Sequence, residues 1–173
     1  MEPIAAALAE EAARKSGLVW IEGPDGTQRA LWHVWLDGAV HLVGDGPDEQ
    51  PLDGLGLADG ALVTVHARSK DKGGRLVAWP ARVTELAPES EAWQAAVAEL
   101  KGKRLNAVDA DHVAERWARE SRVLRLARDG AAVTGAALPS GSLAGPPPET
   151  PATTRRPAPA ALPRLLFGRR RRG

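Results

Sequence analysis

Apolar and polar positions alternate cleanly along Ala61-Leu62-Val63-Thr64-Val65-His66-Ala67-Arg68, where the odd positions are all apolar. A two-residue period predicts a half-buried strand with Thr64, His66 and Arg68 on its second face. A charged turn, Arg68-Ser69-Lys70-Asp71-Lys72-Gly73-Gly74-Arg75, joins it to a second strand-like run, so the pattern predicts a hairpin from Ala61 to Leu86 with four basic residues at its tip. Pro80 lacks an amide hydrogen and places the second strand at an edge or a bulge.

Upstream, Ile4, Leu8 and Ala12 recur at helical spacing and predict a helix over 3–15, with Gly17 as its stop. Gly17 to Glu22 reads as a short strand closed by Gly23-Pro24-Asp25-Gly26. Arg29 to Leu36 and Ala39 to Val43 are strand-like runs joined by Asp37-Gly38, a dipeptide suited to a type I′ hairpin because both central residues need positive φ. That loop pairs Leu36 with Ala39, Val34 with His41 and Trp32 with Val43 on one face. Both faces of the hairpin are largely apolar, as in a barrel wall at a subunit interface. A polar loop, Gly44 to Gln50, and a Gly-rich connector to Gly60 follow.

Ser90 is a candidate N-cap for a helix with Trp93, Ala96, Val97 and Leu100 on one stripe. Asp109 or Asp111 could cap another, carrying Val113 and Trp117. Arg122 to Ala127 reads either as the end of that helix or as a last strand, and the strand is favoured. The expected division is therefore a folded domain over 1–135 and a disordered tail over 136–173, rich in Pro and Arg and too poor in apolar residues to offset its ordering entropy.

The net charge of +1 over 173 residues hides an asymmetry. Pro146 to Gly173 holds seven Arg and one Glu, leaving 16 basic and 21 acidic residues upstream. The acidic body argues against a dedicated nucleic-acid-binding domain, whereas the basic tail could contact anionic surfaces. Cysteine is absent, which excludes disulfides, thiolate zinc sites and cysteine nucleophiles. The amino terminus lacks a secretory pattern and no stretch reaches the roughly 20 apolar residues of a membrane span, so a cytoplasmic protein is expected.

Four histidines invite a metal site, yet His33 and His41 fall on opposite faces of their hairpin, and His66 and His112 lie elsewhere; no metal site is expected. His66, sharing a face with Arg68, is kept as a ligand or proton donor. No Gly-x-Ser-x-Gly supports a serine hydrolase, and Gly44-Asp45-Gly46 opens no helix, so it is turn chemistry rather than a dinucleotide fingerprint. The six Trp serve core packing first and ligand stacking second.

The order of elements, the strand Leu31-Trp32-His33-Val34-Trp35-Leu36-Asp37-Gly38 and the strand Leu76-Val77-Ala78-Trp79-Pro80-Ala81-Arg82-Val83 running to Pro88-Glu89-Ser90 carry a resemblance over roughly 4–128. The chain resembles the split β-barrel flavoproteins of the pyridoxamine 5′-phosphate oxidase-like group. That implies a mainly β fold with flanking helices, an FMN-binding split barrel. It further implies a homodimer with a small-molecule ligand at the subunit interface: FMN or the deazaflavin F420 serving hydride transfer, or, in non-catalytic relatives, haem, another ligand or a protein partner.

The family holds its cofactor phosphate with basic residues on and just after the second and third strands. Here the turn after the third strand reads Pro47-Asp48-Glu49-Gln50, whose carboxylates would repel a phosphate. Arg29 could match one basic position. The resemblance therefore points to Arg68, Ser69, Lys70, Lys72 and Arg75 for the anionic group, with Trp32, Trp35 or Trp79 against the ring system and His66 beside them.

Overall fold

The computed structural model describes residues 2–69, 74–107, 109–135 and 138. The Lys70–Gly73 tip and the expected tail beyond 138 lie outside the described residues. Helix α1 (Glu2–Lys15) precedes β1 (Leu18–Glu22), β2 (Gln28–Trp32), β3 (Val34–Leu36) and β4 (Ala39–Gly44). A connector leads to β5 (Leu62–Arg68) and β6 (Arg75–Glu85), then α2 (Glu91–Lys103), α3 (Val113–Glu120), β7 (Arg122–Arg128) and the short β8 (Val133–Thr134). The ambiguous run after α3 is thus a strand.

All ladders are antiparallel, and the strand order is β2-β1-β5-β6-β7-β4-β3, with β8 beside β6. The two ends of that path, β2 and β3, are consecutive in the chain and separated by His33 alone. The sheet therefore curls until its edges meet at one interrupted strand.

The predicted run from Arg29 to Leu36 is broken at that point. The hairpin register holds for Leu36 with Ala39 and Val34 with His41, with positive φ at Asp37 and Gly38. Trp32 and Val43 do not pair directly. The Gln50 side chain lies between them: its Oε1 accepts from Trp32 N at 2.9 Å, and its Nε2 donates to Trp32 O at 2.9 Å and Val43 O at 3.0 Å. A side-chain amide has the same donor and acceptor as a peptide unit, so Gln50 continues the ladder across the split.

Inward residues form one core: Val19, Ile21, Leu31, Val40, Leu42, Val63, Val65, Ala67, Val77, Trp79, Leu124 and Leu126. Leu52, Leu55 and Leu57 of the connector pack into it as well. A second core lies outside the barrel wall, where Val34, Val43 and Val123 meet Trp93, Ala96, Val97 and Leu100 of α2 and Val113 and Trp117 of α3. The hairpin is buried on both sides as expected, but helices of the same chain cover its outer face rather than a neighbouring subunit.

Ser90 caps α2, accepting from Trp93 N at 3.2 Å. Helix α3 starts after His112 with no side-chain cap, and Asp109 instead pairs with Arg116 at 2.7 Å. Helix α1 turns Ala9 and Ala13, not Ile4 and Leu8, onto the barrel. Alanine lets the helix backbone approach closely; Ile4 stays 75% and Leu8 36% exposed. Pro80 sits where β6 exchanges β8 for β7 as its neighbour, so its missing amide hydrogen breaks no rung there. No helix among the described residues is long and apolar enough to cross a membrane.

Candidate functional site: the outer face of the β5–β6 hairpin

Side chains alternate across β1, β5 and β6, so the face opposite the core carries Trp20 and Glu22 from β1, His66 and Arg68 from β5 and Ala78 from β6, with Gln28 from β2 opposite Glu22. A bulge between Ala67 and Arg68 brings Arg68 opposite Arg75. Like charges directly opposite on a ladder repel, so this pair concentrates positive charge at one point of the outer face.

The cluster is wired inward. Arg68 Nη2 donates to Gln28 Oε1 at 3.3 Å, and Gln28 Nε2 donates to Glu22 Oε2 at 2.6 Å. The same carboxylate oxygen lies 2.6 Å from His66 Nε2. Gln28 and His66 are buried at 2% and 1% exposure. Arg68 also lies over the Trp20 ring, 3.9 Å from its centroid, a cation–π contact that fixes the guanidinium plane.

Burial and the Arg75 charge hold the Arg68 guanidinium below its ordinary pKa. Burial also depresses the His66 imidazole, opposed by Glu22 and reinforced by Arg75 and Arg68, so His66 is neutral at pH 7.

Beside this cluster a half-open groove of about 660 Å³ runs between α1 and the hairpin. Leu8, Ala12, Leu18, Trp20 and Leu76 give it apolar walls, while Arg68, Ser69, Ser16 and the Lys15–Glu11 ion pair supply polar edges. Such a groove suits an amphipathic ligand whose flat apolar part lies along the leucines and whose acidic group reaches the arginine pair.

Of the residues expected at the site, Arg68, Ser69, His66 and Arg75 share this region, and Ser69 N bonds Gly74 O at 2.7 Å to close the hairpin below its tip. Lys70 and Lys72 lie outside the described residues. Trp32 packs against the α2–α3 core. Trp79 and Trp35 face the barrel interior and line a separate cleft of about 360 Å³ under α1 with Ala6, Ala9 and Arg128. They are across the sheet from Arg68, because Trp79 pairs with Val65 and not with His66. Trp79, only 1% exposed, has no open ring face to offer there.

Trp20, Glu22 and Gln28 were not singled out from the sequence. Their signal is the alternation of Trp20 with Glu22, which becomes meaningful only once β1 is known to lie beside β5.

The acidic turn does not act as expected. The Glu49 carboxylate is fully buried and accepts from Trp117 Nε1 at 2.8 Å and from Arg104 and Arg116 at 3.2 Å. Asp48 contributes its carbonyl oxygen to Arg104. Glu49 is therefore a neutralised internal joint that presents no charge outside, while the Asp48 side chain stays exposed. Arg29 is likewise occupied, donating to Pro51 O and Asp53 O at 2.9 Å. Among the described residues no group of three or more His, Asp or Glu side chains could hold a metal ion.

No family model matches the sequence, and no curated protein matches it. Solved structures do match its shape. The haem storage protein HutZ from Vibrio cholerae superposes with a TM-score of 0.52 at 11% identity, covering 73% of this chain and 91% of its own. A conserved hypothetical protein from Mycobacterium tuberculosis gives 0.51 at 16% identity, covering 84% and 92%. Campylobacter jejuni ChuZ gives 0.50 at 8% identity, covering 74% and 54%. At such identities the likeness is one of fold. Together with the curled antiparallel sheet and its interruption at His33, it establishes that this chain adopts the split β-barrel fold of the pyridoxamine 5′-phosphate oxidase-like group.

Proposed function

We infer that this chain binds a planar, acid-bearing ligand of the flavin or haem class in the groove between α1 and the β5–β6 hairpin. The supporting observation is that Arg68 lines an apolar groove with its guanidinium already set on Trp20, and that Arg75 stands opposite it on the ladder. Arg68 and Arg75 hold the acidic group; Trp20, Leu8, Leu18 and Leu76 flank the ring. FMN or F420 is the first reading, and a bound flavin would supply hydride transfer to or from a small substrate. The chain's own part is to orient that ring and exclude water from one side of it.

Haem is the second reading, favoured by the likeness in fold to a haem storage protein. Its two carboxylates meet the same arginine pair, and its macrocycle needs the same apolar walls.

The exposed Leu8, Leu18 and Leu76 line the open side of the groove. A homodimer that lays a second copy over this side completes the enclosure.

The test is absorbance titration of the full chain with FMN, F420 and haemin. One of them saturates, and Arg68→Glu with Arg75→Glu abolishes that binding while the protein keeps its fold and sedimentation. A protein that binds none of the three overturns the reading.

A further inference from the structure

The hydrogen-bond pattern fixes more than the position of Arg68. Because Gln28 Oε1 accepts from Arg68, its amide nitrogen must face the other way, toward Glu22 Oε2 at 2.6 Å and His66 Nε2 at 3.3 Å. A carboxylate oxygen accepts only, so the short 2.6 Å contact between His66 Nε2 and Glu22 is made by an Nε2–H donating to the carboxylate, and the 3.3 Å approach of the donor-only Gln28 amide to the same nitrogen is a proximity rather than a bond. That tautomer leaves Nδ1 as the basic atom of the ring, and Nδ1 is buried without a hydrogen-bond partner.

The groups acting on this imidazole come from four strands. Glu22 on β1 attracts a proton to it, Arg68 on β5 and Arg75 on β6 repel one, and Gln28 on β2 is neutral. The repulsion has a removable source. An acidic group set against the two guanidiniums cancels their charge as seen from His66 and leaves the attraction of Glu22 in place.

We propose that the Glu22–Gln28–His66 cluster is the proton-holding half of the ligand site: binding of an anion at Arg68 and Arg75 draws a proton onto His66, and the ligand is held more tightly as pH falls. This deepens the reading above and rests on it for the identity of the arginine pair as the anion site. By reciprocity, whatever the anion does for the proton, the proton does for the anion. Burial lowers the affinity of His66 for its proton in the ligand-free protein, so uptake on binding is largest on the acid side of neutrality.

FAD is the suitable probe, because its diphosphate keeps a constant charge where a phosphate monoester, with a second pKa near about 6, would lose one. The full chain, labelled with ¹⁵N-histidine, is titrated by NMR between about pH 4.5 and about pH 8, alone, with saturating FAD and as Arg75→Gln. Arg75→Gln raises the His66 midpoint without any ligand, and FAD raises it in the natural protein.

In parallel, the FAD dissociation constant falls with decreasing pH, by at most about tenfold per unit for a single proton, and His66→Asn flattens that dependence. FAD binding with a pH-independent affinity and an unmoved His66 midpoint overturns the proton linkage while leaving the ligand site intact. Absence of FAD binding at every pH, in a protein that also binds none of FMN, F420 and haemin, overturns both. An unmoved midpoint in Arg75→Gln overturns the coupling on its own, whatever the ligand does.

Discussion

Two arginine clusters in this barrel use the same residue type to opposite ends. At the split, Arg104 and Arg116 converge on one fully buried carboxylate, Glu49, whose remaining capacity is taken by Trp117 Nε1. The joint is electrically closed and ties the loop after β4 to α2 and α3. On the outer face of β1-β5-β6, Arg68 and Arg75 meet each other, and the nearby carboxylate, Glu22, is engaged by Gln28 and His66. The first cluster spends its charge inside the fold; the second sets two cations side by side at the surface of the sheet, with Arg68 lining a groove. A count of basic residues along the chain cannot tell the two apart.

The sharpest way to break this contrast is to open the closed joint. Glu49→Ala removes the buried carboxylate shared by Arg104, Arg116 and Trp117 Nε1, leaving Arg104 only carbonyl oxygens and the indole N–H no acceptor, and is expected to cost about 3–5 kcal/mol in urea unfolding. A cost under about 1 kcal/mol would place Glu49 with the ordinary surface acids.

Acid attacks the same seam through His33. Its Nε2 donates to Ala13 O at 2.8 Å, and burial pushes its pKa down to about 4. The unfolded chain then takes the proton first as pH falls. Stability is complete above about pH 6.5 and is lost progressively down to about pH 4, by up to about 3 kcal/mol. Burial depresses His41 and His66 as well, so both act in the same direction. His33→Gln, which keeps a donor for Ala13 O without titrating, should shallow the acid limb of a plot of urea midpoint against pH.

Gln50→Ala removes the amide that bridges Trp32 and Val43 and is expected to cost about 1–3 kcal/mol, with faster hydrogen exchange at the Trp32 amide than at its β2 neighbours. Smallest of all is the effect at the outer-face pair. Arg68→Gln with Arg75→Gln relieves a cross-strand repulsion and should change stability by less than about 0.5 kcal/mol, or raise it, while weakening flavin or haemin binding by at least about a hundredfold. A loss of stability comparable to that of Glu49→Ala would make the two clusters alike and end the contrast.

Local patterns were legible and long-range ones were not. The alternation at 61–68, the Asp37-Gly38 turn and the Ser90 stripe each follow from backbone geometry over fewer than about a dozen residues, and each appears in the fold where expected. The helix stripe misled because α1 packs by alanine, and its larger side chains, Ile4 and Leu8, face outward. The turn at Asp48-Glu49-Gln50 misled for a deeper reason. Its partners, Arg104, Arg116 and Trp117, lie 55 to 68 residues away in sequence, so nothing nearby announces that the carboxylate is spoken for. Trp20 was overlooked by the same logic, since its place beside Arg68 depends on β1 lying next to β5.

The strand order sets a timetable for the newly made chain. On one side β4 pairs with β3 just before it, but on the other with β7, where Ala39 meets Ala127. At a synthesis rate of about 5–20 residues per second, β4 is made on the order of ten seconds before β7. During that interval Val40 and Leu42 present an open strand edge from the middle of the future core, and closure waits for nearly the last strand of the barrel. A ribosome stalled before Arg122 would hold a chain that cannot close, whatever the fate of its amino-terminal hairpins.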